Sequence, residues 1–191
     1  MTESRPERVL VLYGSHSGTS EEVAQQICEL LPEKLSDMGV LALGPTSLDE
    51  FLEEPRWEPL VIIVVSSFGL GDAPRNAKKF RELCDQWADQ KMDEKPLVGL
   101  KFALLGLGSS LYRTYQTNPK AIADGLVAAG ATLVGERGIA DSSAGYKAQQ
   151  EQIKEWQDTT WGALSKALKY IANETISSDR LHEMNKSTVL V

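Results

Sequence analysis

Short apolar runs alternate with segments of helical periodicity along the whole chain. Residues 60–65 form a continuous apolar run, which is typical of a strand buried on both faces of a parallel sheet. Within 19–38, apolar residues recur at helical spacing, and Gly39 then suits the end of a helix. This reasoning predicts strands at 8–13, 40–43, 60–65, 102–106 and 131–135. It predicts helices at 19–38, 74–89, 121–129 and 145–172, with at most a short helix within 45–59.

This alternation predicts an α/β fold in which a doubly wound parallel sheet lies between two layers of helices. The length of 191 residues fits one domain, which we expect over 1–172. The last stretch, 173–191, is polar and lacks a clear period, so it is predicted to be a tail or linker.

Charge and composition exclude several classes of function. The net charge of −7 argues against nucleic-acid binding, because phosphate contacts need a basic face. No apolar run approaches the roughly 20 residues of a membrane helix, and the N-terminus lacks the layout of a signal peptide. The two cysteines, Cys28 and Cys84, lie far apart without a CxxC motif, which argues against a zinc site. We therefore expect a cytoplasmic protein without membrane or metal partners.

The loop between the first strand and the first helix has the chemistry of a phosphate site. Residues 14–20, GSHSGTS, supply hydroxyls and backbone N–H groups at a helix N-terminus. The loop holds no Lys and neither GxxxxGK[ST] nor GxGxxG, which argues against a P-loop nucleotidase and a dinucleotide fold. A monophosphate suits such a cation-free cradle. The alternative is an ordinary capped helix start, with Ser17 or Thr19 paired to Glu21 or Glu22 in a capping box.

Two further glycine-rich loops follow the third and fourth predicted strands. They are 66–72, SSFGLGD, and 106–116, GLGSSLYRTYQ, and each carries an aromatic residue. Ligands of open α/β sheets bind beyond the carboxyl ends of the strands, so the three loops should meet at one edge. A planar ring held between Phe68 and Tyr112, with its phosphate in the first loop, describes FMN binding. Taken singly, each loop is also consistent with a plain turn.

The chain resembles the flavodoxin-like family, and most closely the FMN domains of diflavin reductases of the NADPH–cytochrome P450 reductase and sulfite reductase type. Residues 14–21 resemble GSQTGTAE, 66–77 resemble STYGEGDPPDNA and 106–116 resemble GLGDSSYPKFN. Trp156 and Trp161 resemble a closing W-x-x-x-x-W pattern. The resemblance covers roughly residues 8–170 and implies a five-stranded parallel sheet of order 2-1-3-4-5.

The resemblance also implies a set of cofactor-binding residues. For the FMN phosphate it assigns Ser15, His16, Ser17, Gly18, Thr19 and Ser20. For the ring and its surroundings it assigns Ser67, Phe68, Gly69, Leu70, Gly71, Leu107, Gly108, Tyr112, Tyr115, Gln116 and Asp141. Phe68 and Tyr112 would cover the two faces of the ring, and the Gly69 carbonyl would turn to accept a hydrogen bond from the reduced flavin N5. Residues 107–108 would face the ring edge, with Asp141 as an acid nearby.

The resemblance implies a monomeric electron-transfer module without catalytic residues or metal ligands of its own. It would pass single electrons from an FAD- and NADPH-binding reductase to a haem or iron–sulfur protein. Two alternatives stay open. One is an NAD(P)H:quinone reductase, although rings stacked on Phe68 and Tyr112 would block hydride access. The other is a binding module that has lost FMN, because His16, Ser109 and Leu111 depart from the family pattern.

Overall fold

A computed structural model describes residues 7–89, 95–173 and 178–189. The strands are β1 Arg8–Gly14, β2 Leu41–Ser47, β3 Leu60–Ser66, β4 Lys101–Gly108, β5 Thr132–Leu133 and β6 Gly138–Asp141. The helices are α1 Thr19–Lys34, α2 Leu48–Phe51, α3 Lys78–Asp89, α4 Thr117–Ala128, α5 Tyr146–Asn173 and α6 Ser178–Val189. Their alternation along the chain confirms the predicted doubly wound α/β fold.

The sheet is parallel, and its order β2-β1-β3-β4-β5 is the one expected. The edge of the sheet beside β4 differs from the prediction, which placed a single strand there at 131–135. There β5 pairs with the start of β4, and β6 pairs with Leu105–Gly108 at the end of the same strand. Gly135, with φ +68°, lies between the two segments and interrupts the extended backbone. The missed β6 carries the chain to the edge where β4 ends.

Two apolar clusters explain why β3 is buried from Leu60 to Val65. Alternate residues of a strand point to opposite faces, so Val61, Ile63 and Val65 join one cluster while Leu60, Ile62 and Val64 join the other. The first cluster includes α2, α3 and α4, and the second includes α1 and α5. Helices therefore cover both faces of the sheet, as continuous apolar strands require.

Several element ends differ from the predicted ones. Helix α1 ends at Lys34 rather than at Met38, because a short 3₁₀ turn, Ser36–Met38, follows it. A second 3₁₀ turn, Arg75–Ala77, precedes α3, which begins at Lys78. Strand β2 continues to Ser47 through a proline, which an edge strand tolerates.

Helix α6 lies where the sequence predicted a polar tail or linker. Met184 is fully buried in the first cluster, and Leu181 packs against it. The Trp57 indole Nε1–H donates to Thr188 Oγ1 at 2.8 Å, and the Trp57 backbone N–H donates to Asn185 Oδ1 at 2.8 Å. The helix was not predicted because few of its residues are apolar, so the sequence shows no clear helical period there. Residues 178–189 thus form a helix packed on the core, while a domain boundary at 172/173 stays a prediction.

Candidate functional site

The carboxyl ends of β1, β3, β4 and β6 open onto a cleft of about 550 Å³. This volume is within the usual range for small-molecule sites. The lining residues are His16, Ser17, Thr19, Ser20, Ser66, Ser67, Phe68, Gly69, Leu107, Gly108, Ser109, Tyr112, Thr114, Tyr115, Ser142 and Gln149. The three loops singled out in the sequence therefore meet at one cleft.

The first loop leaves the start of α1 without a side-chain cap. Gly18 occupies the capping position with φ +96°, and no side chain bonds the first-turn N–H groups within the described part of the chain. The capping-box alternative is therefore wrong. The Ser15 hydroxyl accepts a hydrogen bond from the Gly18 N–H at 2.9 Å, which holds the loop in a tight turn. Uncapped N–H groups and the hydroxyls of Ser17 and Thr19 together make a site with donors for an anion.

The second loop presents an aromatic ring on a rigid turn. The Phe68 and Asp72 backbones exchange hydrogen bonds of 2.9 and 2.8 Å. The turn from Phe68 to Asp72 requires positive φ angles, which Gly69 and Gly71 supply at +53° and +94°. Phe68 remains 43% exposed, and the His16 ring lies 3.8 Å from it between centroids, tilted by 32°. His16 thus contacts the aromatic residue, while its assigned role toward a phosphate stays a prediction.

The third loop brings two tyrosines to the other side of the cleft. Tyr112 is 67% exposed, and Tyr115 lies half-buried against Gly108. A Cβ on Gly108 would come within 3.1 Å of the Tyr115 ring, so glycine lets this ring pack closely on the backbone. Burial is the main cause that raises the pKa of the Tyr115 hydroxyl, and the negative charge of Asp141 adds to it.

Polar side chains beside the cleft and within it connect these loops. The Ser15 N–H donates to Asn76 Oδ1 at 3.0 Å, which joins the first loop to the start of α3. Asn118 is fully buried, and its Nδ2 donates to the Ser66 carbonyl at 2.8 Å while its N–H donates to Ser67 Oγ. The Thr114 hydroxyl donates to the Gly69 carbonyl at 3.3 Å. Each loop is therefore held in place by another segment.

Eleven of the residues assigned from the resemblance line the cleft: His16, Ser17, Thr19, Ser20, Ser67, Phe68, Gly69, Leu107, Gly108, Tyr112 and Tyr115. Six others lie beside it without lining it: Ser15, Gly18, Leu70, Gly71, Gln116 and Asp141. The lining residues that the assignment omitted are Ser66, Ser109, Thr114, Ser142 and Gln149. Ser142 and Gln149 follow β6, so missing that strand concealed them.

Gln116 supports the floor of the cleft. It is buried and has φ +63°, the one positive φ outside glycine among the described residues. Its Nε2 donates to the Gly106 carbonyl at 2.8 Å, and its Oε1 accepts a hydrogen bond from Arg137 at 2.9 Å. A Cβ on Gly106 would lie 2.1 Å from that Oε1. The geometry places Gln116 in a supporting position, and its assigned contact with the cofactor stays a prediction.

Asp141 fastens the third loop to the end of β6. Its Oδ1 accepts hydrogen bonds of 2.9 Å from the backbone N–H groups of Ser110 and Ser143. Desolvation works in the opposite direction, but the hydrogen bonds from these two serines lower the pKa of Asp141 to about 2. The carboxylate is therefore ionised at neutral pH and holds two loops together beside the cleft.

The donor set of the cleft fits FMN. The Ser20 hydroxyl is buried at its border and has no hydrogen-bond partner among the described residues, so it has a bond left to make. An uncapped helix start lined by hydroxyls suits a phosphate, and two exposed aromatic rings suit a flat ring system. Of the residues that the structure describes, no lysine or arginine lines the cleft. The residues present therefore fit a monophosphate more readily than a polyphosphate.

Comparison with known proteins agrees with this geometry. The chain is 31% identical over 166 residues to NADPH–cytochrome P450 reductase of Phanerodontia chrysosporium, an alignment covering 84% of this chain and 22% of that protein. It is 32% identical over 174 residues to a bifunctional cytochrome P450/NADPH–P450 reductase of Bacillus cereus, covering 90% and 15% respectively. It is 31% identical over 185 residues to methionine synthase reductase of Caenorhabditis elegans, covering 95% and 24%. The chain thus spans about a quarter or less of each of these relatives.

Solved structures and the family profile extend the comparison. A mutant of flavodoxin from Pseudomonas aeruginosa superimposes with a TM-score of 0.62 at 24% identity, covering 85% of this chain and 99% of that one. This likeness shows the fold. The sequence profile of the Flavodoxin family matches residues 11–156, which include all three loops and β6. The chain therefore belongs to the flavodoxin family, whose cofactor is FMN.

Proposed function

We propose that this chain is an FMN-binding electron-transfer module that accepts electrons from a reductase domain or protein and passes them singly to a haem or iron–sulfur protein. One observation carries the proposal. Phe68 and Tyr112, two of the aromatic residues that line the cleft, are 43% and 67% exposed, so a ring between them would lie where the cleft opens onto the protein surface. Such a position would let a partner come close enough for electrons to pass.

The roles of the residues follow from the cleft. When bound, FMN supplies a group that takes up two electrons and releases them one at a time. The hydroxyls of Ser17, Thr19 and Ser20 and the N–H groups of α1 would bind its phosphate. Phe68 and Tyr112 would orient the ring. The Gly69 carbonyl, which accepts the Thr114 hydrogen bond, would offer an acceptor to a proton at the flavin N5.

The partners proposed for the chain rest on its relatives. The names of the reductases from P. chrysosporium and B. cereus point to NADPH as the electron source and to a P450 haem as the acceptor. The C. elegans relative, methionine synthase reductase, points to a different acceptor. The relatives therefore share a reductase as electron donor, while they differ in the electron acceptor.

We continue to expect a monomeric, cytoplasmic protein. Within the described residues, none of the helices is long and apolar enough to cross a membrane.

The first test is the absorption spectrum of the protein after FMN has been added and the excess removed by desalting. Flavin bands that stay with the protein, together with two resolvable one-electron potentials in a redox titration, are the expected result. A protein that retains no flavin would refute the proposal. A flavin-loaded protein that oxidises NADPH with a quinone as acceptor, without any added reductase, would instead favour the quinone reductase.

A paired ligand experiment tests the phosphate cradle. The double variant Ser17→Ala, Thr19→Ala should bind FMN at least about 10-fold more weakly, because each hydrogen bond to a charged group contributes about 1.5–3 kcal/mol. Binding of riboflavin, which has no phosphate, should stay the same. Ser36→Ala, in the exposed turn after α1, is the matched control for losing a hydroxyl. Equal losses for FMN and riboflavin would contradict the assigned role.

A further inference from the structure

The mouth of the cleft carries a concentration of exposed apolar side chains. Leu70 and Leu111 are 88% and 79% exposed, and Phe68 and Tyr112 lie beside them in sequence on the same two loops. We call these four residues the loop-tip patch. The two loops are in contact, because the Thr114 hydroxyl donates to the Gly69 carbonyl at 3.3 Å. Single exposed leucines are common on protein surfaces, whereas a group of exposed apolar side chains on adjoining loops is typical of an interaction site.

Three cations lie close to the loop-tip patch along the chain. Arg75 and Lys78 follow the second loop, and Arg113 comes directly after Tyr112 in the third. All three are exposed, and none forms an ion pair with another residue in the described ranges. Their charges are therefore available to a partner.

The two loops themselves carry little negative charge. Asp72 is the one carboxylate within the two loops, and Asp141 is turned toward the Ser110 and Ser143 amides. Lys79 is a different case, because it lines a separate groove with three carboxylates, those of Asp49, Glu53 and Glu82. The two loops, the turn after the second one and the first residue of α3 therefore carry three cations against one carboxylate, while Glu21 and Glu22 on the first turn of α1 and Asp49 of α2, beside the start of α3, supply negative charge on neighbouring elements.

We propose that the loop-tip patch, with Arg75, Lys78 and Arg113 around it, is the docking surface for a redox protein whose contact face is apolar at its centre and ringed by carboxylates. The inference rests on the proposed function, since electrons would cross at this surface. Local charge at an interface governs steering and orientation, whereas the net charge of a chain acts over distances that salt screens. A basic partner, which the net charge alone would favour, is repelled at this surface.

Binding measurements can test the sign of this surface without any flavin. An acidic plant-type [2Fe–2S] ferredoxin and a basic mitochondrial cytochrome c serve as probes in titration calorimetry. Salt at about 0.01 M and 0.15 M gives Debye lengths of about 30 and 8 Å. We expect ferredoxin to bind, with an affinity that falls about tenfold or more between the two salt concentrations. Failure of ferredoxin to bind, or tighter binding of cytochrome c, would overturn the proposal.

Charge-reversal variants separate the local surface from the net charge. The triple variant Arg75→Glu, Lys78→Glu, Arg113→Glu should lower the ferredoxin affinity at least about tenfold. The matched control is Lys34→Glu, Lys154→Glu, Lys166→Glu, which changes the net charge equally at exposed positions of α1 and α5. The control should stay within about threefold of the wild type. Equal losses in both triple variants would show that net charge alone acts, and would overturn the proposal.

An apolar substitution tests the centre of the patch. Leu111→Ser should weaken ferredoxin binding several-fold, because it removes an exposed aliphatic side chain from the centre of the contact. Val127→Ser, at a 49% exposed position on α4, is the control and should have no effect. If both variants bind like the wild type, the leucine takes no part in docking and the patch is not the interface. FMN titration of the same samples reports separately on the proposed function.

Discussion

Replacing Thr188 by valine removes one hydroxyl from a buried contact and nearly preserves the shape of the side chain. Thr188 is 3% exposed, and its Oγ1 accepts the hydrogen bond from the indole of Trp57, which is 2% exposed. In the variant this buried N–H has no acceptor, a loss of about 1–3 kcal/mol. A chain of this size changes its melting temperature by about 2–4 °C per kcal/mol, so a loss of about 2 kcal/mol lowers it by roughly 4–8 °C.

The assay is thermal unfolding of flavin-free protein followed by circular dichroism, since a bound ligand would add its own stabilisation. Thr159→Val is the control, because that hydroxyl donates only to carbonyls of its own helix and is exposed. In a Trp57→Phe background, Thr188→Val should lose most of its effect, as expected for two coupled partners. If Thr188→Val melts with the wild type, α6 does not dock on Trp57 in solution and the reasoning fails.

Three other substitutions test the site. Gly106→Ala should lower the melting temperature by several degrees, because the added Cβ would lie 2.1 Å from Oε1 of Gln116. The control Gly162→Ala adds a Cβ with no atom within 4 Å inside a helix, and it should raise the melting temperature slightly. Asp141→Asn should flatten the loss of stability on acidification from about pH 4 to 2. A carboxyl whose folded pKa is lowered to about 2 stabilises the fold above its unfolded pKa and stops doing so as it is protonated. Tyr112→Ala should weaken FMN binding by about 1–3 kcal/mol in a fluorescence titration, and Tyr170→Ala, on α5, should leave it unchanged.

Local patterns in the sequence were enough to predict the parallel sheet and its loops. The run at 60–65 is apolar at every position, and a strand needs this pattern only when both of its faces are covered. The positions of the three loops follow, because parallel strands end at one edge. Phe68 and Tyr112 could be assigned to that edge from their place after β3 and β4 alone.

The supporting residues could not be predicted in this way. Asn76 bonds a residue 61 positions away, and Asn118 bonds one 52 positions away, so no local pattern connects them. Helix α6 contacts Trp57 across more than 120 positions, and its few apolar residues give a weak period. Segment β6 is only four residues long and follows a bend at Gly135, so its sequence alone does not indicate a strand. These features depend on tertiary contacts rather than on local propensity.

The hydrogen bonds that join the loops have a thermodynamic consequence. Asn76, Asn118, Gln116 and Asp141 hold the cleft walls with contacts made entirely within the protein. A ligand entering such a cleft loses its own freedom of motion but orders little of the chain. The heat-capacity change on binding should then be small and negative, set by the area of ring that is buried. A large negative value would indicate that the walls form only as the ligand arrives.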